Sequence, residues 1–158
     1  MTSVSNRPPQ REHKVTPTPV PAAAFPSAAA EIERALLASL AEANEQSTNL
    51  SFAFEARADG PRIGGVVAST SYGWLLVKML WVDSAWRRAG VGARLMAAAE
   101  EKGREIGCHA AWLDTSNAEA HAFYLRLGYT VFGTLENEGG DMPAGHTRWF
   151  MQKRLPAK

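Results

Sequence analysis

Apolar positions along this chain change period several times, and each change marks an element. Ile32, Leu36, Leu37 and Leu40 recur at helical spacing. A helix is therefore predicted from Ser27, a residue type that caps helix N-termini, to about Asn44. Glu31 and Glu33 fall in its early turns, where the helix dipole favours acids. From Leu50 to Ala56 the period drops to two, with Phe52 and Phe54 on one side. Asp59-Gly60 signals a tight turn, and Ile63 to Ser69 reads as the returning strand. Tyr72-Gly73 turns the chain into a third apolar run, Trp74 to Val82. Helical spacing returns from Gly92 to Ile106 and stops at Gly107, a residue suited to a left-handed C′ position. Ala110 to Leu113 is a short strand, and Ala118 to Leu127 is a helix ended by Gly128. Thr130 to Leu135 and Thr147 to Lys153 form a last strand pair around a glycine- and proline-rich loop, Glu138 to Gly145. Ahead of all these, His13 to Pro21 alternates Val, Thr and Pro, which confines it to an edge strand or an extended arm. Residues 1–10 are polar and proline-containing and read as a disordered tail. The order is strand, helix, three strands, helix, strand, helix, two strands. That order predicts an α/β fold with a mixed sheet of about six to seven strands flanked by helices, in a single domain over residues 11–158.

Composition narrows the class of protein. With 46% hydrophobic and 21% charged residues the chain is ordinary for a soluble globular protein. Its formal net charge of +1 comes with no basic stripe, which argues against nucleic acid as a partner. The longest apolar runs fall far short of the ~20 residues a membrane helix requires. No compact apolar leader opens the chain, and the single cysteine, Cys108, permits no internal disulfide; both features point to the cytoplasm. His121 is expected on the exposed side of its helix; His109, His121 and Cys108 lack ligand-like spacing to an acid cluster, so no metal site is expected. Cys108 also has no basic neighbour in sequence to activate it, so it reads as inert burial.

The candidate chemistry centres on Arg87-Arg-Ala-Gly-Val-Gly92, between the Trp74–Val82 strand and the following helix. Glycines there let the backbone approach a ligand without a Cβ in the way. A helix N-terminus offers unpaired N–H groups and partial positive charge, which suit a phosphate. Arg87 and Arg88 add forked donors for phosphate oxygens. A dinucleotide fingerprint would need a third glycine where Leu95 stands, and no Lys-Ser/Thr pair completes a P-loop. The local chemistry points to a pyrophosphate.

Arg87-x-x-Gly90-x-Gly92 resembles the pyrophosphate signature of the GNAT superfamily of acetyl-CoA-dependent N-acetyltransferases. A second block agrees: Asn117-Ala-Glu-Ala-His-Ala-Phe-Tyr124, then Leu127-Gly128-Tyr129. The resemblance covers roughly Asn49 to Leu155. It implies a sheet splayed between its fourth and fifth strands, Trp74–Val82 and Ala110–Leu113, with acetyl-CoA as co-substrate lying in the opening. The implied cofactor-binding set is the cradle Arg87, Arg88, Ala89, Gly90, Val91, Gly92 and Ala93, with Asn117, Phe123, Tyr124 and backbone groups of Trp81 and Val82. Tyr124 is the implied catalytic acid, aimed at the departing sulfur. Asn117 can also cap the helix that starts at Ala118. Trp86, beside the phosphate loop, is placed to cover the cofactor.

The base is open. Many relatives carry a glutamate on the fourth strand about where this chain has Lys78. Asp114, Glu136 and Glu138 are candidate substitutes, beside a water relay. With Asp141, these acids also form the candidate acceptor-binding set, since an acidic loop before Pro143-Ala-Gly-His146 attracts a cationic amine. A small-molecule amine is the expected partner, of polyamine or aminoglycoside type, kasugamycin-like included. Acetylation of protein N-termini or lysines is one alternative, and a CoA-binding regulatory module without turnover is another. The resemblance also implies a homodimer through the C-terminal strands.

Overall fold

A computed structural model describes residues 16–45 and 47–156; the expected tail at 1–10 and the first residues of the arm lie outside them. The chain divides into two compact units, residues 1–45 and 46–158. In the first unit, residues 16–21 form no strand, so the proline-rich arm is irregular where described. Helix α1 (Phe25–Ala43) starts earlier than the Ser27 cap predicts. Ala24 is its N-cap, and Pro26 lies in the first turn, where a missing N–H is tolerated and φ is already helical. Ser27 sits inside the helix, its Oγ donating back to the Ala24 carbonyl at 3.3 Å. Glu31 and Glu33 are consequently beyond the first turn. No residue of α1 is buried, and Ile32, Leu36 and Leu37 are exposed.

The second unit is built on six strands, β1 (Ser51–Arg57), β2 (Arg62–Ser71), β3 (Trp74–Val82), β4 (Ala110–Thr115), β5 (Thr130–Glu136) and β6 (Thr147–Arg154). Their spatial order is β1-β2-β3-β4-β6-β5. All neighbours are antiparallel except β3 and β4. With no strand among the described residues of the arm, the expected fourth and fifth strands are β3 and β4. The turns follow from left-handed residues: Asp59 and Gly60 join β1 to β2, and Tyr72 and Gly73 join β2 to β3.

The sheet opens between β3 and β4 because their pairing stops early. Only Trp74, Leu75 and Leu76 pair with Ala110, Ala111 and Trp112. Just beyond, β3 bulges: Val77 pairs with Ala68 and Met79 with Val67, leaving Lys78 as the extra residue. A bulge bends its strand and increases local twist, which turns β3 away from β4. Leu75 and Val77 face the core before it, and Leu80 and Val82 after it. Lys78 and Met79 both stay exposed on the other face.

Helix α2 (Val91–Ile106) covers β2 and β3 with Val91, Leu95, Met96 and Ala99. Gly103 permits the close approach, since a Cβ there would lie 3.1 Å from Leu75 Cδ2. One carboxylate ties the layers together. Glu100, 5% exposed, accepts from the Tyr129 hydroxyl at 3.1 Å and from Lys153 Nζ at 2.7 Å. Arg104 Nη2 lies 3.8 Å away. Burial first, then the Glu100 charge, holds the Tyr129 phenol well above its ordinary range. A raised pKa means the neutral phenol stabilises the fold below about pH 10, and that contribution is lost as pH rises further. Removing one member of a buried ionic set costs about 3–5 kcal/mol. Glu100→Ala is therefore expected to lose that much stability in urea unfolding; a loss under about 1 kcal/mol would show the network to be dispensable.

Candidate active site

After β3 the chain makes a 3-10 turn, Ser84–Trp86, capped by Asp83, whose Oδ1 accepts the Ala85 N–H at 2.9 Å. Arg87 is extended, Arg88 takes a left-handed φ of 64°, and Gly90, at φ 77°, is the N-cap of α2. No side chain caps this helix, so its leading N–H groups face outward without a protein oxygen. An anion is what such a terminus favours. The left-handed form at Arg88 costs roughly 1 kcal/mol, a strain of the kind that gathers at ligand clamps. Arg87 Nε donates to the Val82 carbonyl at 3.3 Å, which fixes its stem at the end of β3. Its Nη groups make no further hydrogen bond among the described residues.

Ala89 is exposed, Ala93 is half-buried, and the buried Val91 pins the start of α2 to the core. Gly92 has a packing role as well. A Cβ there would meet Phe123 Cζ at 3.3 Å and Val82 Cγ2 at 3.7 Å. Its missing side chain thus leaves room for the Phe123 ring. Another cation joins the cradle: Arg94 Nη1 would lie 3.3 Å from a Cβ on Gly90. The sequence reading missed Arg94, although its position four residues after Gly90, one helical turn, was the available signal. Trp81 and Trp86 are exposed, at 49% and 40%.

Helix α3 (Ala118–Arg126) is capped by Asn117, whose Oδ1 accepts the Ala120 N–H at 2.9 Å. Tyr124 is 7% exposed and meets Phe123 and Tyr129 edge-on, with centroids 5.2 and 5.9 Å apart. Burial, and secondarily the Asp114 charge, raises its phenol above the ordinary range. The hydroxyl therefore keeps its proton at neutral pH, as an acid must. His121, expected on the exposed side of α3, is half-buried instead. It stacks on Trp149 with centroids 4.6 Å apart, and its Nε2 is enclosed without a partner. The inward face of α3 extends one turn ahead of Tyr124, which places it there.

The expected acids do not converge. Asp114 is held by Arg148, with Nε at 2.6 Å and Nη2 at 2.5 Å. Asp141 Oδ2 accepts the Glu138 N–H at 2.9 Å, so this carboxylate shapes its own loop. Glu136 pairs with Thr147 on the face opposite Leu135 and Arg148. Glu138 is exposed in the loop. Lys78, at the lip of the opening, is exposed and has no partner in the register of either neighbouring strand. Cys108 is buried, and burial raises its thiol pKa. Among the described residues no group of three or more His, Cys, Asp or Glu could hold a metal ion, and no helix is long and apolar enough to cross a membrane.

Alongside the uncapped start of α2, the splayed sheet and the buried Tyr124, comparison with known proteins gives the family. The model of the Acetyltransferase (GNAT) family matches residues 19–129. The chain belongs to that family. An acetyltransferase of Agrobacterium fabrum is 34% identical over 119 residues, covering 75% of this chain and 82% of the relative. The blasticidin-S acetyltransferase of Streptomyces morookaense is 38% identical over 97 residues, covering 61% of this chain and 68% of the relative. A crystal structure of an acetyltransferase from Agrobacterium tumefaciens superposes with a TM-score of 0.73 at 31% identity, covering 90% of this chain and 98% of that one. This GNAT protein is thus an acetyltransferase, and its six-stranded mixed sheet has the family's fold.

Proposed function

We propose that this GNAT protein transfers the acetyl group of acetyl-CoA directly to a primary amine of a small molecule. The observation that carries the reading is the uncapped start of α2, flanked by Arg87, Arg88 and Arg94 and turned by left-handed Gly90. Donors and charge of that kind fit a pyrophosphate. When bound, the carrier supplies an acetyl carbon activated as a thioester. The β3–β4 opening, where Val77 to Val82 have no β4 partner, leaves strand edge for an extended arm. The family match begins at residue 19, which supports one acetyltransferase domain over 11–158.

Transfer has two electrostatic demands. The amine must be neutral, which costs about 4 kcal/mol at pH 7 for a pKa of ~10. The amine nitrogen then bonds to the acetyl carbon while the carbon–sulfur bond breaks, and the sulfur leaves with the electron pair. Tyr124 donates its phenolic proton to that sulfur. The amine proton passes to water and from there restores the Tyr124 phenol, because among the described residues the carboxylate beside the opening, Asp114, is engaged by Arg148, and Lys78 stands at the lip of β3. The relative that acetylates blasticidin-S supports an antibiotic-type acceptor. A polycation of aminoglycoside or polyamine type draws less support, since Asp114 and Asp141 are consumed within the protein and Glu136 faces away. The test is a thiol-release screen of small amines, antibiotics and peptides. Turnover of small amines is expected; release with peptides alone would turn the assignment to protein acetylation, and binding without any release would turn it to a regulatory module.

A further inference from the structure

The charge at the mouth of the opening deepens this reading by naming the class of acceptor. Leu76 pairs with Trp112 where β3 and β4 last touch. Two residues on along each strand, alternation brings Lys78 and Asp114 to the same face, on facing lips. Arg148 belongs to that face as well, for its guanidinium lies 6.0 Å from the Phe150 ring and grips Asp114. The mouth thus carries two cations and one carboxylate, and the carboxylate is spoken for by Arg148. The Lys78 ammonium makes no ion pair or hydrogen bond among the described residues. Its bulge position sends the side chain outward beside Met79, and it rims a cavity of about 380 Å³ floored by Trp74, Leu76 and Trp112 with Ser69 and Ser71 at one side.

A mouth with this balance repels a polycation and offers an unsatisfied ammonium to an anion. The geometry points to an acceptor that carries an acidic group, carboxylate or phosphate, beside its reacting amine, with Lys78 as the residue that selects it. The apolar floor fits the carbon skeleton between the two groups, and the serine hydroxyls supply neutral hydrogen bonds. Lys78 acts on binding and orientation of the acceptor and takes no part in the bond exchange. This inference rests on the acetyl-transfer reading.

The experiment measures kcat/KM by thiol release for amines that differ by one acidic group: lysine against cadaverine, ornithine against putrescine, arginine against agmatine, and phosphoethanolamine against ethanolamine. The first three pairs probe the carboxylate and the last the phosphate. The acid-bearing member of at least one pair is expected to be favoured by about tenfold to a hundredfold, the worth of one charge-assisted hydrogen bond. Lys78→Met should abolish the preference and Lys78→Glu reverse it, with KM for acetyl-CoA unchanged in both. Lys78 is exposed, so both variants should fold as the wild type does. Turnover with no acid preference in any pair overturns the inference alone. A rise in KM for acetyl-CoA in Lys78→Met also overturns it, by assigning the ammonium to the cofactor. Absence of release with every amine overturns the acetyl-transfer reading and the inference together.

Discussion

Tyr124→Phe is expected to lower kcat by about two to four orders of magnitude, the usual worth of a positioned acid. KM for acetyl-CoA should change by no more than a few-fold. The ring stays, so its edge contacts with Phe123 and Tyr129 survive, and only the oxygen is lost. The phenol is held above its ordinary range, chiefly by burial and then by the Asp114 charge. An acid in the proposed role works protonated, so no loss of rate from Tyr124 is expected until the pH passes about 10. A pH profile of kcat that falls through neutrality in the wild type but not in Tyr124→Phe would contradict that order. Equal kcat in the two proteins would remove Tyr124 from the chemistry.

Opening the cradle should have the second largest effect, and on binding. Gly90 sits at φ 77°, where a β-branched residue is strained, so Gly90→Val should distort the turn that points the α2 N–H groups outward. We expect acetyl-CoA affinity to fall at least tenfold, while stability drops by about 1–2 kcal/mol. Arg87→Ala should lose about 1–3 kcal/mol of binding through its charge-assisted hydrogen bonds, with little effect on folding. Gly92 differs: a side chain there collides with Phe123, so Gly92→Leu should harm stability and affinity together. Titration calorimetry for affinity, paired with urea unfolding, separates these outcomes. Unchanged affinity in both Gly90→Val and Arg87→Ala would place the anion site elsewhere.

Much of this was legible in the chain itself, and the failures share a physical cause. Period-two runs, glycine stops and the two family blocks each report local backbone demands, and local demands are what a sequence states directly. Gly107 and Gly128 end their helices in left-handed conformations as expected, and Asn117 caps α3. The start of α1 was misplaced because Pro26 outranks Ser27 as a start signal. Charge partners were the hardest part. That Arg148 would engage Asp114 depends on the pairing of β4 with β6, across 34 residues. Only the sheet order makes them neighbours. The bulge at Lys78 was hidden for a like reason, since it exists relative to β2 and leaves no mark on β3 alone. His121 looked exposed because the face α3 buries is set by Trp149, on a strand later in sequence.

The claim on which all else stands is that Gly90, the free start of α2 and the neighbouring guanidiniums hold the pyrophosphate of acetyl-CoA. Calorimetric titration of the folded wild-type protein with acetyl-CoA and, separately, with a dephosphorylated pantetheine thioester tests it most directly. Saturable binding is predicted for acetyl-CoA, on the order of micromolar to submillimolar as for enzyme substrates generally, and binding at least tenfold weaker for the thioester that lacks phosphates. Equal affinity for the two, or no heat from acetyl-CoA at millimolar concentration, would contradict the account.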